Sequence, residues 1–219
     1  NAGAEYLNSP EKLKGIAMNL LTRRGLLGLA LSTMAIGLFG GLLGGTAVFA
    51  QTDAATAPAE GTAPPEVVEL VLGNPDAKVT LTEYASYTCP HCANFHSDVF
   101  KPLKADYTDP GKVKFVSREV YFARYGLWAA MMARCGGEMR YFGINGLLFE
   151  KQREWAASDD PNVVINNLKT IGRSAGMTDD QLDACFKDQA MAEAMVTKFQ
   201  ENMEADGVEG TPTLFINGT

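Results

Sequence analysis

Two cysteines separated by two residues, Cys89 and Cys92, have the spacing of a redox-active dithiol. They enclose Pro90 and His91 in the run CPHC. A pair at this spacing could exchange electrons with other thiols, supply part of a metal site or close an inert structural disulfide. A structural zinc site needs four ligands, usually from two such pairs, and the sequence contains one, so zinc is disfavoured.

The segments on either side of the motif favour the redox interpretation. Residues 78–84 (KVTLTEY) are β-branched and aromatic and predict a buried strand, whereas residues 93–107 predict a helix. At the start of a helix, unpaired N–H groups and the positive end of the helix dipole favour the thiolate form of Cys89. Because the thiolate is the attacking species, this position suits disulfide exchange.

The two residues inside the motif fit the same chemistry. Pro90 suits the first turn of a helix because its missing N–H would have had no partner there. His91 adds a polar and potentially cationic neighbour for the thiolate. A more stable thiolate stabilises the dithiol form, so the Cys89–Cys92 disulfide is expected to be oxidising.

Strand and helix signals place this motif in an α/β domain. We expect strands at residues 66–72, 78–84, 112–120 and 213–216. The long segment 123–205 predicts helices, with breaks at residues 136–137, 158–161 and 176–178. Thr178 and Gln181 have the spacing of a capping box.

The helix after the motif has a recognisable apolar pattern. Phe95, Val99 and Leu103 recur at a spacing of four and predict its buried face. Pro102 predicts a kink, because proline removes a helical hydrogen bond.

The segments EYASYTCPHCANFH and GVEGTPTLFING resemble the DsbA family, over roughly residues 66–219. The resemblance implies a thioredoxin fold, which is an α/β fold with a central mixed sheet, and a helical domain inserted at about residues 123–205. It also implies that Cys89 is the exposed nucleophile and Cys92 the buried resolving cysteine. Asn217-Gly218 signals a hairpin turn. A thioredoxin fold has a further strand and helix there, so we expect the natural protein to continue past Thr219.

The same resemblance supplies three further candidates. An acid six residues before the first cysteine assists proton transfer in such proteins, which makes Glu83 a candidate, with an exposed strand acid as the alternative. Alternation puts Glu83 on one strand face with Val79 and Leu81. Thr211-Pro212 matches the cis-proline loop that lies against the CxxC motif and binds substrate backbone. Threonine before this proline leaves oxidase and isomerase both open.

Three other residues could take part in chemistry or stability. In an oxidising compartment Cys135 and Cys185 are expected to pair, as some proteins of the family have a second disulfide, with two buried free thiols as the alternative. His96 follows Cys92 by four residues and shares its helix face. We expect His96 to pack rather than to catalyse.

The beginning of the chain has the pattern of an export signal. Arg23 and Arg24 precede residues 25–50, which carry no charge and end in Val48-Phe49-Ala50. This pattern predicts a signal peptide at residues 18–50, cleaved near Ala50 or kept as a membrane anchor, with general or twin-arginine export both open. We expect residues 1–17 to be an upstream, non-native segment and residues 51–65 to be a flexible linker.

These patterns predict a periplasmic protein that introduces disulfides into exported proteins. The net charge of -7 argues against a nucleic-acid partner. Expected partners are folding proteins with free thiols and a membrane redox protein that re-oxidises the pair, and the chain is expected to act as a monomer. The Cys89–Cys92 pair would serve in place of a cofactor or metal. The alternatives are a disulfide isomerase or reductase on this fold, and an envelope binding protein that kept the fold.

Overall fold

A computed structural model describes residues 63–219 and shows a four-stranded mixed sheet. The strands are β1 (Leu70–Leu72), β2 (Val79–Ala85), β3 (Val113–Glu119) and β4 (Thr213–Ile216), in the order β1-β3-β2-β4. β2 is parallel to β3, whereas β1 and β4 are antiparallel to their neighbours. The mixed sheet of a thioredoxin fold is therefore confirmed. The segments 1–17 and 18–50, and nearly all of 51–65, lie outside the described residues.

The central strand β2 carries the sequence that leads into the CPHC motif. Leu81 and Glu83 face the interior, as alternation predicts, and Tyr84 and Ala85 are buried as well. β2 lies between two strands, and both faces of the sheet are covered at this end, since Leu81 and Tyr84 belong to two different hydrophobic clusters. Val79, at the other end of the strand, is 37% exposed, so the prediction that it shares a buried face is wrong there.

The helix after the motif, α1, is continuous over residues 90–108 but changes its hydrogen bonding along the way. Its segments are α-helical Pro90–Phe95, π-helical His96–Phe100, α-helical Lys101–Leu103 and π-helical Lys104–Thr108. Pro102 lies between the two π-helical segments, where wider turns accommodate a residue without an N–H.

The predicted buried face of α1 is wrong by one position. Cys92, His96 and Phe100 are buried, whereas Val99 is 46% exposed. Phe95 and Leu103 lie at the margin of the buried face and pack only partly against the sheet. Cys92, His96 and Phe100 also recur at a spacing of four, so this spacing alone does not tell which of two neighbouring helix faces packs against the sheet and the insert.

The segment between β3 and β4 folds into six helices of the described chain, as the sequence predicts. They are α2 (Arg124–Cys135), α3 (Glu138–Glu150), α4 (Gln152–Trp155), α5 (Pro161–Ser174), α6 (Asp179–Lys187) and α7 (Gln189–Asp206). Gly137 and Gly176 have φ of 81° and 82° at two of the predicted breaks. The Thr178–Gln181 capping box is confirmed. A further break at Asp188, whose side chain caps α7, was not predicted.

The main hydrophobic core joins these helices to the active end of the sheet. It contains Trp155, Tyr141 and Met132 from the helices together with Cys92 from α1. A disulfide between Cys135 and Cys185 connects α2 to α6, with 6.0 Å between their Cα atoms. The structure thus pairs these two cysteines, as the family resemblance implies, rather than leaving them as free thiols.

The chain turns directly after β4, as Asn217-Gly218 predicts. Asn217 and Gly218 have φ of 51° and 85°, and the Ile216 N–H donates to the Thr219 carbonyl at 2.9 Å. Among residues 63–219, no helix has both the length and the apolar character needed to cross a bilayer.

Candidate active site

Cys89 occupies the N-cap position of α1, immediately after the loop that follows β2. Its backbone is extended, with φ of -87° and ψ of 117°, and its carbonyl accepts hydrogen bonds from the N–H groups of Cys92 and Ala93 at 3.1 and 3.3 Å. The side chain is partly exposed. The first cysteine is thus accessible and lies at the end of the helix where unpaired N–H groups favour an anion.

Cys92 lies one turn further into α1 and is fully buried. Burial raises the pKa of the Cys92 thiol to about 12, while hydrogen bonds from the Ser86 backbone and the Thr211 side chain lower it in part. The adjacent Cys89 raises this pKa further. Two cysteines three positions apart therefore have different environments, one partly open and one enclosed.

The residues between the cysteines lie on the outside of the first helical turn. Pro90 is at the first helical position, as predicted from its missing N–H. Pro90 and His91 are both exposed. A partner approaching Cys89 would therefore meet these two side chains.

Thr211 and Pro212 lie opposite the start of α1. The peptide bond between them is cis, the geometry that the family resemblance implies. The Cys89 Sγ donates to the Thr211 carbonyl oxygen at 3.4 Å. The Thr211 hydroxyl, which lowers the pKa of Cys92, is buried and has no other hydrogen-bond partner among the described residues. Thr211 therefore contacts both members of the pair.

Glu83 is 1% exposed, so the alternative of an exposed strand acid is wrong. One carboxylate oxygen, Oε2, lies 3.7 Å from Nε2 of His96. The other, Oε1, is buried without a hydrogen-bond partner in the described chain. A buried carboxyl oxygen without a partner is free to form a hydrogen bond with a further group, and such unpaired buried polar atoms are costly.

His96 packs as predicted, but it also contacts polar groups. Its ring stacks on Phe149 with 4.1 Å between ring centroids and lies 4.4 Å from the ring of Phe100. Its Nε2 is 3.4 Å from Nδ2 of Asn145. His96 thus connects the buried acid on β2 to the helical insert.

Gln152, the first residue of α4, is a site residue that sequence reasoning missed. Its side-chain amide donates to the carbonyl oxygens of Tyr87 and Cys89 at 2.8 and 2.9 Å. More than 60 positions separate Gln152 from these partners. No spacing rule connects residues so far apart, so only the packing of the insert against α1 reveals the contact.

A buried polar network supports the loop before Cys89. The Tyr87 hydroxyl donates to the Tyr141 hydroxyl at 3.1 Å, which donates to Glu119 at 3.0 Å. Arg134 holds the same carboxylate through both its Nε and one terminal nitrogen. Burial alone would lower the pKa of Arg134, but the Glu119 charge outweighs it and raises that pKa. The loop is therefore connected, through the two tyrosines, to the ion pair between Glu119 and Arg134.

Within residues 63–219, no cluster of three or more His, Cys, Asp or Glu side chains could hold a metal ion. The residues brought together at the start of α1 are instead two free cysteines, a cis-proline loop and a buried acid. This fold and this site define a protein of the thioredoxin class with a CxxC centre.

Comparisons with known proteins identify the family within this class. A family model described as "Thioredoxin" matches residues 66–219, and the chain belongs to this family. Its relatives are DsbA-like. The crystal structure of alpha-DsbA1 from Wolbachia pipientis is 30% identical with a TM-score of 0.63, over 69% of this chain and 76% of that one.

Curated sequences agree with this assignment. A Rickettsia bellii protein named "Putative protein-disulfide oxidoreductase" is 34% identical over 68% of this chain and 57% of its own length. Disulfide bond formation protein D of Bacillus subtilis is 28% identical over 67% of each chain. The chain spans little more than half the length of the rickettsial relatives that it matches.

Proposed function

We propose that this protein is a thiol–disulfide oxidoreductase that introduces disulfides into exported proteins. The observation that carries the proposal is the asymmetry of its cysteine pair. Cys89 is partly exposed at a helix start beside the cis-proline loop, whereas Cys92 is enclosed, with a pKa raised to about 12 mainly by burial. A partner thiol is therefore able to reach one sulfur of the pair and not the other.

The reaction starts from the Cys89–Cys92 disulfide. A substrate thiolate attacks the Cys89 Sγ, so that a mixed disulfide forms and the bond to Cys92 breaks. Cys92 takes the bond's electron pair and must gain a proton, because its thiolate is costly at this buried position. A second substrate thiolate then attacks the substrate's own sulfur in the mixed disulfide, which releases Cys89 as a thiolate. The substrate loses two electrons, and the pair gains them.

Glu83 is the proposed source of the proton for Cys92. It is buried on β2, and its Oε1 has no hydrogen-bond partner among the described residues. His96, which faces the other oxygen, would hold the acid in place.

The cis-proline loop is the proposed docking site for the substrate backbone. Thr211 already engages Cys89 through its carbonyl oxygen and stabilises the Cys92 thiolate through its hydroxyl. A substrate strand lying along residues 210–212 would bring its own sulfur to Cys89. Pro90 and His91 would flank that sulfur on the exposed side.

The compartment and partners are part of the proposal. The signal-like segment before residue 51 supports export to the periplasm, where disulfides persist. A membrane redox protein would re-oxidise the pair after each cycle, and the chain would act as a monomer. The names of two relatives, disulfide bond formation protein D and thiol:disulfide interchange protein DsbA, support the proposed disulfide exchange itself.

The proposal is tested with the oxidised protein and a reduced model peptide that carries two cysteines. We expect the wild type to form the peptide disulfide stoichiometrically and Cys89→Ser to form none. Cys92→Ser should also form none, because without Cys92 the protein has no disulfide to transfer to the peptide. Removal of the Cys135–Cys185 disulfide is the matched control and should leave peptide oxidation intact. Equal peptide oxidation by wild type and Cys89→Ser would refute the proposal.

A disulfide isomerase is the second candidate. A protein-disulfide isomerase from Novosphingobium aromaticivorans is 25% identical, with a TM-score of 0.59 over 69% of this chain. Threonine before the cis-proline is compatible with either direction. Refolding of scrambled ribonuclease by the reduced protein separates the two, because an oxidase speeds peptide oxidation without speeding this rearrangement.

A further inference from the structure

Gln152 connects the helical insert to the main chain around the redox pair. Its side-chain amide has two hydrogens, and the structure uses both of them, one on the Tyr87 carbonyl and one on the Cys89 carbonyl. The residue is 6% exposed, so water does not compete freely for these bonds. A single amide therefore clamps the carbonyls on both sides of Thr88.

The clamped segment is the one that sets the position of the Cys89 sulfur. The Cys89 carbonyl accepts the first hydrogen bonds of α1 from Cys92 and Ala93, and Gln152 supplies a third donor to the same oxygen. The Cys89 N–H donates to the Ser86 carbonyl at 3.0 Å. Loss of the Gln152 amide would remove the hydrogen bonds that connect the insert both to the start of α1 and to the turn before it.

The structure also holds Gln152 itself in place. α4 is fixed by Trp155, which is 1% exposed and whose Nε1 donates to the Leu148 carbonyl at 2.8 Å. The other end of the clamped segment is held by the Tyr87 hydroxyl on Tyr141 of α3. The amide thus reaches the turn from a rigid support rather than from a loop.

The clamp has an electrostatic consequence. The Cys89 carbonyl is the negative end of a peptide dipole next to a sulfur that must carry negative charge during exchange. Donation from Gln152 offsets that partial charge, just as a hydrogen bond to an anion stabilises it. Without this donor the thiolate, and with it the dithiol form of the pair, would be less favoured.

We infer that Gln152 is a positioning residue that fixes the Cys89 sulfur at the start of α1 and makes the Cys89–Cys92 disulfide more oxidising. The inference rests on the proposed function, because the position of Cys89 matters only if Cys89 exchanges disulfides. It assigns to the helical insert a direct effect on the redox pair, in addition to its packing role.

The test replaces Gln152 by methionine, which has a similar length but no donor, and by glutamate, which is an acceptor when ionised. Gln200→Met is the matched control, since Gln200 is exposed on α7. The redox equilibrium of each variant is measured against glutathione. We expect both Gln152 variants to shift about three- to tenfold towards the disulfide form, the range for one lost hydrogen bond, with Gln152→Glu shifted further. Gln200→Met should match the wild type.

A purely structural role for Gln152 would lower the melting temperature without moving this equilibrium, and that result would overturn the inference. The equilibrium with glutathione requires only a cysteine pair, so it is readable even if the wild type fails to oxidise the model peptide. Failure of the proposed function and failure of the inference are therefore distinguishable.

A measurement on the wild type covers the case in which the variants do not fold. The side-chain amide of Gln152 should exchange its hydrogens with solvent at least tenfold more slowly than that of Gln200, because both hydrogens are bonded and buried. Its resonance should also move when the Cys89–Cys92 disulfide is reduced. Exchange as fast as that of Gln200, with no change on reduction, would overturn the inference.

Discussion

The enclosed position of Cys92 leads to a sharp prediction about its reactivity. In the variant Cys89→Ala the Cys92 thiol remains alone and buried. Burial is the largest cause that raises its pKa from 9.0 to about 12 in the wild type, and it acts in the variant without the smaller contribution of Cys89. A thiol with a pKa of about 12 is ionised to about one part in 10,000 at pH 8, against about one quarter for a free cysteine. Alkylation by iodoacetamide, which needs the thiolate, should therefore be slower than for a free cysteine by up to about three orders of magnitude.

The pH profile separates ionisation from simple inaccessibility. If ionisation limits the reaction, the alkylation rate of Cys92 should rise about tenfold per pH unit up to at least pH 10. If access of the reagent alone limits the reaction, the alkylation rate should be low at every pH but should stop rising once the pH passes the pKa of a free thiol. A plateau below pH 10 would therefore refute the burial argument. Cys92→Ala is the matched control, because the partly exposed Cys89 that remains should react faster at every pH.

The same raised pKa has a consequence for the stability of the reduced protein. A thiol is neutral when protonated, so a folded pKa above the unfolded value makes the unfolded state release its proton first as pH rises. Stability is then unaffected below about pH 9 and falls between about pH 9 and pH 12. The shift of three units, 12 minus 9, corresponds to about 4 kcal/mol, of which Cys89 contributes a part. Denaturant melts of Cys89→Ala against the double alanine variant would measure the larger part, which is due to burial.

Three further predictions concern the scaffold. The double variant Cys135→Ala, Cys185→Ala opens a loop of 50 residues, so its free energy of unfolding in urea titrations should be about 4 kcal/mol lower. Its melting temperature in a thermal scan should fall by about 8–16 °C. Unchanged midpoints in both experiments would contradict the loop-entropy reasoning. Arg134→Met leaves the buried Glu119 carboxylate without its ion-pair partner and should lower the free energy of unfolding by about 3–5 kcal/mol in the same urea titrations. A loss under about 1 kcal/mol would show that water reaches the site. Gly172→Ala puts a methyl group against Leu182 of α6 and Met132 of α2 and should lower the stability by about 1–3 kcal/mol in calorimetry. Gly143→Ala, which faces open space inside α3, should instead raise it by about 0.5–1 kcal/mol.

The sequence predicted those features that depend on local signals. Proline at the first helical turn, the Thr178–Gln181 capping box and the turn at Asn217-Gly218 all depend on residues within a few positions of one another. The β-branched run of β2 is local in the same sense. These features follow from propensity and spacing, so they could be located before the fold was known.

The features that the sequence did not predict depend on contacts between distant segments. The buried face of α1 is set by where the sheet and the insert meet it, so that Val99 turns to solvent although its spacing from Phe95 is correct. The Gln152 amide meets Cys89 only because α4 packs beside α1. Strand alternation placed Glu83 on one face with Leu81 but left open whether that face was buried, and the contact of Glu83 with His96 depends on the phase of a neighbouring helix.

The difference between the two cysteines follows from the phase of α1. Cys89 lies before the first turn, so its side chain is outside the helix, whereas Cys92 shares the buried face with His96 and Phe100. A spacing of two residues across a helix start therefore places one sulfur at the surface and the other in the core. With a shorter spacing Cys92 would leave that face, and with a longer one it would move away from Cys89. The CxxC spacing gives the two sulfurs different environments because the helix begins between them, at Pro90. The contacts that fix this helix start, such as the hydrogen bond from Gln152 to the Cys89 carbonyl, therefore affect the reactivity of the pair.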